Sequence, residues 1–334
     1  MVEIIKSISE INAVSGDEKS LRDFIVKNIK ADKIEIDTMG NIIALKQGTV
    51  QSEHKIAVAT HIDECGLIVT DINDDGYIKF ATVGTVELRS IISKTVLINN
   101  KIPGIIGMKA VHLQKKEERE NVKKAKELFI DIGAKNKDEA KKLVKKGDYI
   151  SFMTKFSCTG TTIKGKALDR IGIYTLLQAI NCEPLYDTYF IFTVQKEVGL
   201  RGAMIAADKI NPDTLIVVDS VETADMYGVE KDKITAHLNC GPALIHSDKS
   251  YIGDKKLIKK IISLATENDI KIQEVARAES DSDTGAFMIS NSGIKTVNIS
   301  IPVRYTHTPV QLASLNDIES TDKLLNLLLK SQEI

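Results

Sequence analysis

Net charge of either sign is almost absent from this sequence: 45 lysines and arginines face 46 aspartates and glutamates, leaving −1. No overall field therefore favours nucleic acid or an anionic membrane surface. Cysteine is scarce as well. Cys65, Cys158, Cys182 and Cys240 lie far apart and form no CxxC pair. In a chain of 334 residues that usage points to the reduced thiols of a cytoplasmic protein rather than to a disulfide framework. Long apolar runs are missing too. Nothing approaches the ~20 apolar residues of a membrane span. The opening MVEIIKSISEINAVSGDEKS reads as an amphipathic helix and a loop, not a leader peptide. There is no internal repeat and no low-complexity tract. What is present is an ordinary globular balance, 43% hydrophobic and 27% charged, long enough for two domains or for one domain with an insertion.

The pattern along the chain selects the second arrangement. Ser15 and Glu18 have capping-box spacing, and Leu21, Phe24, Ile25 and Ile29 follow as a helical stripe. IEIDTMGNIIALK and KIAVATHIDECGLIV are β-rich, and IAVAT is apolar throughout, as a central strand covered on both faces would be. After residue 67 come short strands and turns (NDDG, NNKIPG), then the mixed-charge run QKKEERENVKKAKE, read as a solvated loop or helix face. From about Thr161 the alternation of helix and strand returns: RIGIYTLLQAI, YFIFTV, MIAADKI, TLIVVD. The expected fold class is α/β, with a domain formed by residues 1–67 and 161–334 and an all-β insertion over 68–160.

The side chains able to carry chemistry fall at strand ends and strand-to-helix turns, where open α/β sheets place their sites. His61 and Asp63 follow IAVAT, Glu197 follows FIFTV, Asp219 ends TLIVVD, Asp169 opens a helix after GKAL, and His307 follows VNISIPVRYT. Taken singly, such an aspartate is more often a helix cap or a turn former, and His61 could be a core histidine with its hydrogen bonds met. Five of these six groups, in matching places, favour a shared metal site. Two histidines and three carboxylates suit zinc, cobalt or manganese; no thiolate is expected beside them, which argues against a structural cysteine site.

The motifs NAVSGDEK, DTMGNIIALKQG, HIDECGLIVTDINDDGYIKF, ELFIDIGAKNKDEA, GKALDRIG, VQKEVGLRGA, SDTGAF and RYTHTPV together resemble the tetrahedral (TET) or glutamyl aminopeptidases of the co-catalytic zinc clan, whose members are sometimes labelled cellulase-like. The resemblance spans nearly the whole chain. It implies a three-layer α/β/α peptidase domain with an inserted small β-barrel that takes part in assembly. It also implies two divalent ions per chain, zinc first, with cobalt or manganese as alternatives. His61, Asp169 and Asp219 would hold the first and Asp169, Glu197 and His307 the second, Asp169 bridging them, with Asp63 orienting His61. Peptides are the implied substrates, and a homo-oligomer, a tetrahedral dodecamer or else a dimer, the implied assembly.

Three positions depart from the family pattern. Where the family reads Gln-Glu-Glu-Val-Gly, with its first Glu as general base, this chain has Lys196. A protonated lysine has donors only and cannot take a proton from water. Asp169 is followed directly by Arg170, without the usual Asp or Asn between, and Gln311 stands where a Glu is usual. The resulting expectation is a di-metal aminopeptidase impaired at its base, with Asp63 and Lys196 as the catalytic-position residues. The alternative is an inactive binding or assembly protein of the same fold. A glycan hydrolase fits less well, because it needs a pair of carboxylic acids free of metal. Arg277, or a lysine, is a candidate for selecting an acidic first residue.

Overall fold

Four parallel strands form the centre of the fold, in the spatial order Thr188–Thr193, Ile56–His61, Thr214–Glu222 and Lys295–Arg304. The computed structural model describes residues 1–116, 119, 121, 123–276, 278 and 281–332. Antiparallel strands extend both sides, Ile42–Lys46 and Lys33–Ile36 at one, Gln311–Ser314, Thr162–Gly165 and Ser157–Thr159 at the other. Ala243–Ile245 also pairs with Lys295–Arg304, and Gln273–Val275 with Ala243–Ile245.

The central strand Ile56–His61 is buried at every position, as its unbroken apolar run predicts. Successive side chains leave on opposite faces. Ile56 and Val58 enter a core with Ile5, Leu21 and Leu176. Ala57 and Ala59 pack instead against Ala203, Ala206 and Ala207 of the helix Arg201–Ile210. Methyl-sized groups on both partners let that helix lie close to the sheet. Helices thus cover both faces, giving three layers, α/β/α.

The chain leaves this sheet just past His61 and closes a six-stranded antiparallel barrel. Its order is Gly66–Ile72, Ile78–Val83, Leu128–Asp131, Ile102–Met108, Thr95–Ile98 and Tyr149–Phe152. Leu67, Ile78, Ile98, Ile130 and Ile150 fill its separate core. Closure leaves no strand edge open. Gly66 and Leu67 already belong to the barrel and Ser157–Thr159 to the large sheet, so strand pairing changes slightly away from residues 67 and 160. The mixed-charge run at 114–127 falls in part outside the described residues. Among those described, no helix is long and apolar enough to cross a membrane.

The capping box expected at Ser15 and Glu18 does not form. The helix Lys19–Asn28 has Glu18 at its N-cap with no side-chain cap bond. Both side chains turn to the carboxyl end of the sheet instead: the Ser15 hydroxyl donates to Asp63, and Glu18 Oε1 accepts from the N–H groups of Gly16 (2.7 Å) and Gln195 (3.2 Å).

Candidate metal centre

The parallel strands that flank Ile56–His61 are reached in opposite directions across the sheet, so a crevice opens at its carboxyl end. His61 ends that strand. Asp219 stands beside it on Thr214–Glu222, a strand that continues past Asp219 rather than stopping there. Glu197 is in the loop after Thr188–Thr193, and His307 is in the loop after Lys295–Arg304 with φ 60°. Asp169 sits in a 3-10 turn, Leu168–Arg170, directly before the helix Gly172–Ala179. A Cβ on Gly172 would lie 2.4 Å from Thr60 Oγ1 and 2.7 Å from the Val218 carbonyl, so only glycine lets this turn come so near the strands.

His61 Nδ1 donates to the main-chain oxygen of Asp63 (3.1 Å), with the Asp63 carboxylate at 3.6 Å, which leaves Nε2 facing the site 3.5 Å from Asp219 Oδ1. The Asp63 carboxylate does more than orient His61. Its Oδ1 accepts from the Lys196 N–H and its Oδ2 from the Glu197 N–H, each at 3.0 Å. It therefore clamps the loop that carries Glu197. Burial opposes its charge, but the bonds from His61, Ser15 and this backbone prevail and hold it at about 2.

The departures at Asp169 have structural answers. The Asp169 N–H donates to Gln311 Oε1 at 3.0 Å, so the glutamine supports the turn as a neutral acceptor. Arg170 is fully buried and ties the turn to the main-chain oxygens of Ile62 (3.3 Å), Ile8 (2.7 Å) and Ile11 (2.5 Å).

Around Glu197 the surroundings differ from expectation. Lys196 Nζ lies 2.9 Å from Glu197 Oε1. Burial disfavours that ammonium, yet Glu197, Asp219 and Asp169 outweigh it and hold its proton well above the ordinary lysine range. Asp219 is correspondingly held at about 2: burial opposes its charge, while Lys196 and His61 favour it more. The other Glu197 oxygen, Oε2, accepts from the Cys65 thiol at 2.7 Å, and Cys65 Sγ is 3.9 Å from His307 Nδ1. A thiol inside the constellation corrects the expectation of a site without sulfur. The signal was available, since Cys65 follows His61 at a spacing of four on the turn out of the central strand. The barrel shapes this side: Gly84 presses on Cys65 and Glu197, and the Glu87 N–H donates to the His307 carbonyl at 3.0 Å.

The donor set suits divalent ions. His61 Nε2 and Asp169 Oδ1 are buried without any hydrogen-bond partner, an expensive state that a cation would relieve. Cys65, Glu197 and His307 each offer a donor atom, all within 4.8 Å of one another. Asp169, Glu197, Asp219 and His307 line a cavity of about 510 Å³ together with Lys196. Arg277 lies outside the described residues.

Known proteins resemble this chain along nearly its whole length. The M42 glutamyl aminopeptidase family matches residues 40–324. The chain belongs to that family. It is 30% identical to a lysyl aminopeptidase of Pyrococcus furiosus, over 98% of this chain and 96% of the relative. The TET1 peptidase of Pyrococcus horikoshii, which can assemble into a tetrahedron or a large octahedral shell, is 31% identical over 99% of each chain, with a TM-score of 0.87. A structure described as an endoglucanase of Thermotoga maritima is 34% identical over 98% of this chain and 97% of that one, with a TM-score of 0.83.

Proposed function

We propose that this M42 chain removes single residues from the N-termini of peptides, using two divalent ions, zinc first and cobalt or manganese as alternatives. His61, Asp169 and Asp219 hold the first, and Asp169, Glu197 and His307 the second. The observation that carries the reading is the pair of buried, unpartnered ligand atoms, His61 Nε2 and Asp169 Oδ1, beside a cavity that Asp169, Glu197, Asp219 and His307 share. When bound, such ions polarise a scissile carbonyl and acidify an attacking water.

The chain's own side chains do the rest. Asp63 fixes the Glu197 loop and the face of His61. Gln311 fixes the Asp169 turn. At the base position Lys196 offers donors only and is held as a cation, so transfer of the water's proton is the weak step. The barrel, residues 68–160 in the sequence division, serves assembly into a tetrahedral homo-oligomer. With all four cysteines free, the setting is cytoplasmic. An endoglucanase reading is disfavoured because Asp169, Glu197, Asp219 and His307 share one cavity, a donor set that suits metal rather than a pair of free carboxylic acids.

The test is elemental analysis of protein purified without chelator and then supplied with zinc or cobalt, followed by assay on aminoacyl-anilides. Two ions per chain and slow amine release are expected, with Glu197→Gln abolishing the release. Absence of bound metal overturns the reading. Two bound ions without hydrolysis of any anilide or peptide favours the inactive assembly homologue.

A further inference from the structure

We infer that Cys65 is a ligand of the second ion, its sulfur joining Glu197 and His307 around the same metal. The inference rests on the reading that Glu197 and His307 hold an ion at all. Among the described residues, Cys65, Glu197 and His307 are the single group of three metal-binding side chains whose donor atoms gather within 4.8 Å. That spread is compatible with one ion at N, O and S distances of about 2.0–2.3 Å.

The fold holds the sulfur in place from several directions. Cys65 lies between Glu64 and the first barrel strand, Gly66–Ile72. Glu64 is fixed by its N–H on the Ala13 carbonyl (2.8 Å) and by its Oε1, which accepts from the Ala13 N–H (2.9 Å) and the Lys166 ammonium (2.8 Å). On the far side Gly84, at φ 74°, brings bare backbone against the pair. A Cβ there would lie 3.0 Å from Cys65 Sγ and 2.9 Å from Glu197 Cβ. The barrel therefore presses thiol and carboxylate together.

Charge completes the case. A thiolate adds one negative charge to those of Asp169 and Glu197. Lys196, on the opposite oxygen of Glu197, supplies a compensating positive charge inside the same part-buried cluster. Coordination replaces the S–H bond by a sulfur–metal bond and releases the proton to solvent.

Cobalt reads this directly, because a thiolate ligand gives Co(II) a near-ultraviolet charge-transfer band that nitrogen and oxygen ligands do not. Protein loaded with two Co(II) should show that band. It should vanish in Cys65→Ser and persist in a variant with Cys158, Cys182 and Cys240 all changed to Ser, which retains Cys65 as its one thiol. This second variant decides the matter if Cys65→Ser does not fold. Bound cobalt with visible d–d bands but no charge-transfer band overturns the inference and leaves the two-ion reading standing. A band lost from the Cys65-only variant also overturns it. Failure to bind any cobalt overturns both.

Discussion

The Lys196 ammonium lies 2.9 Å from Oε1 of Glu197, a fixed positive charge placed on a proposed ligand of the second ion. Two effects are combined in that one side chain: it repels the ion, and it cannot accept a proton. Two substitutions separate them. Lys196→Met removes the charge without adding an acceptor, so affinity for the second ion should rise with little gain in turnover. Lys196→Glu adds the acceptor as well, and kcat on aminoacyl-anilides should rise ~10²-fold or more, with a smaller change in KM. Equal gains from both variants would place the defect in ion binding rather than in proton transfer.

Asp63 makes a second, separable prediction. Its carboxylate accepts the backbone N–H groups of Lys196 and Glu197 on different oxygens, with the Ser15 hydroxyl on one of them. Asp63→Asn leaves one oxygen and introduces an NH₂ that faces an N–H. Metal affinity should fall by ~10–100-fold, the usual cost of disturbing the support of a ligand. Amide hydrogen exchange should also quicken at Lys196 or Glu197, whichever of the two then faces the NH₂, because that amide loses its acceptor. Unchanged exchange at both amides would show that Asp63 acts on His61 alone.

Assembly is the third. The barrel leaves Ile105, Val111, Leu113, Leu143 and Met153 at about half exposure or more, an apolar load that an isolated barrel has no reason to carry. Light scattering coupled to size exclusion should give a particle many times the 36.8 kDa of one chain. A clean monomer peak would refute the tetrahedral assembly.

How much of this was legible in the sequence depended on whether a residue's role was local. The run IAVAT shows burial on both faces without help, and the strand-end positions of His61, Glu197 and His307 follow from where apolar runs stop. Ser15 and Glu18 show the limit. Their spacing is that of a capping box, but partners distant in sequence, Asp63 and Gln195, claim both side chains. Cys65 was missed for a similar reason. A thiol outside a CxxC pair looks like a small core residue until Gly84, from the next barrel strand's end, presses it onto Glu197. Gln311 stood out as an altered support, yet its neutral oxygen still accepts the Asp169 N–H. Register and pairing between distant segments decided each case.

The last prediction concerns stability against pH and lies away from the site. Asp322, on the helix Leu315–Lys330, faces Thr175 of the helix Gly172–Ala179. Neither Asp322 Oδ1 nor Thr175 Oγ1 has a well-formed hydrogen bond. Burial, helped by Glu319, raises the Asp322 carboxyl from its ordinary value to about 7. In the unfolded chain it titrates near ~3.9. Below that value both states hold the proton and the residue has no effect. Between ~3.9 and about 7 the folded state keeps a proton that the unfolded state has lost, so stability falls as pH rises. Above about 7 the carboxyl is ionised in both states and the penalty is constant. Asp322→Asn removes the charge while keeping the shape. It should melt with the parent protein near pH 4 and above it at pH 8, by on the order of 1–3 kcal/mol in unfolding free energy. Calorimetry at the two pH values cancels the contribution of every other group common to both proteins. A variant that is equally or less stable at pH 8 would mean that solvent reaches Asp322 in the folded protein.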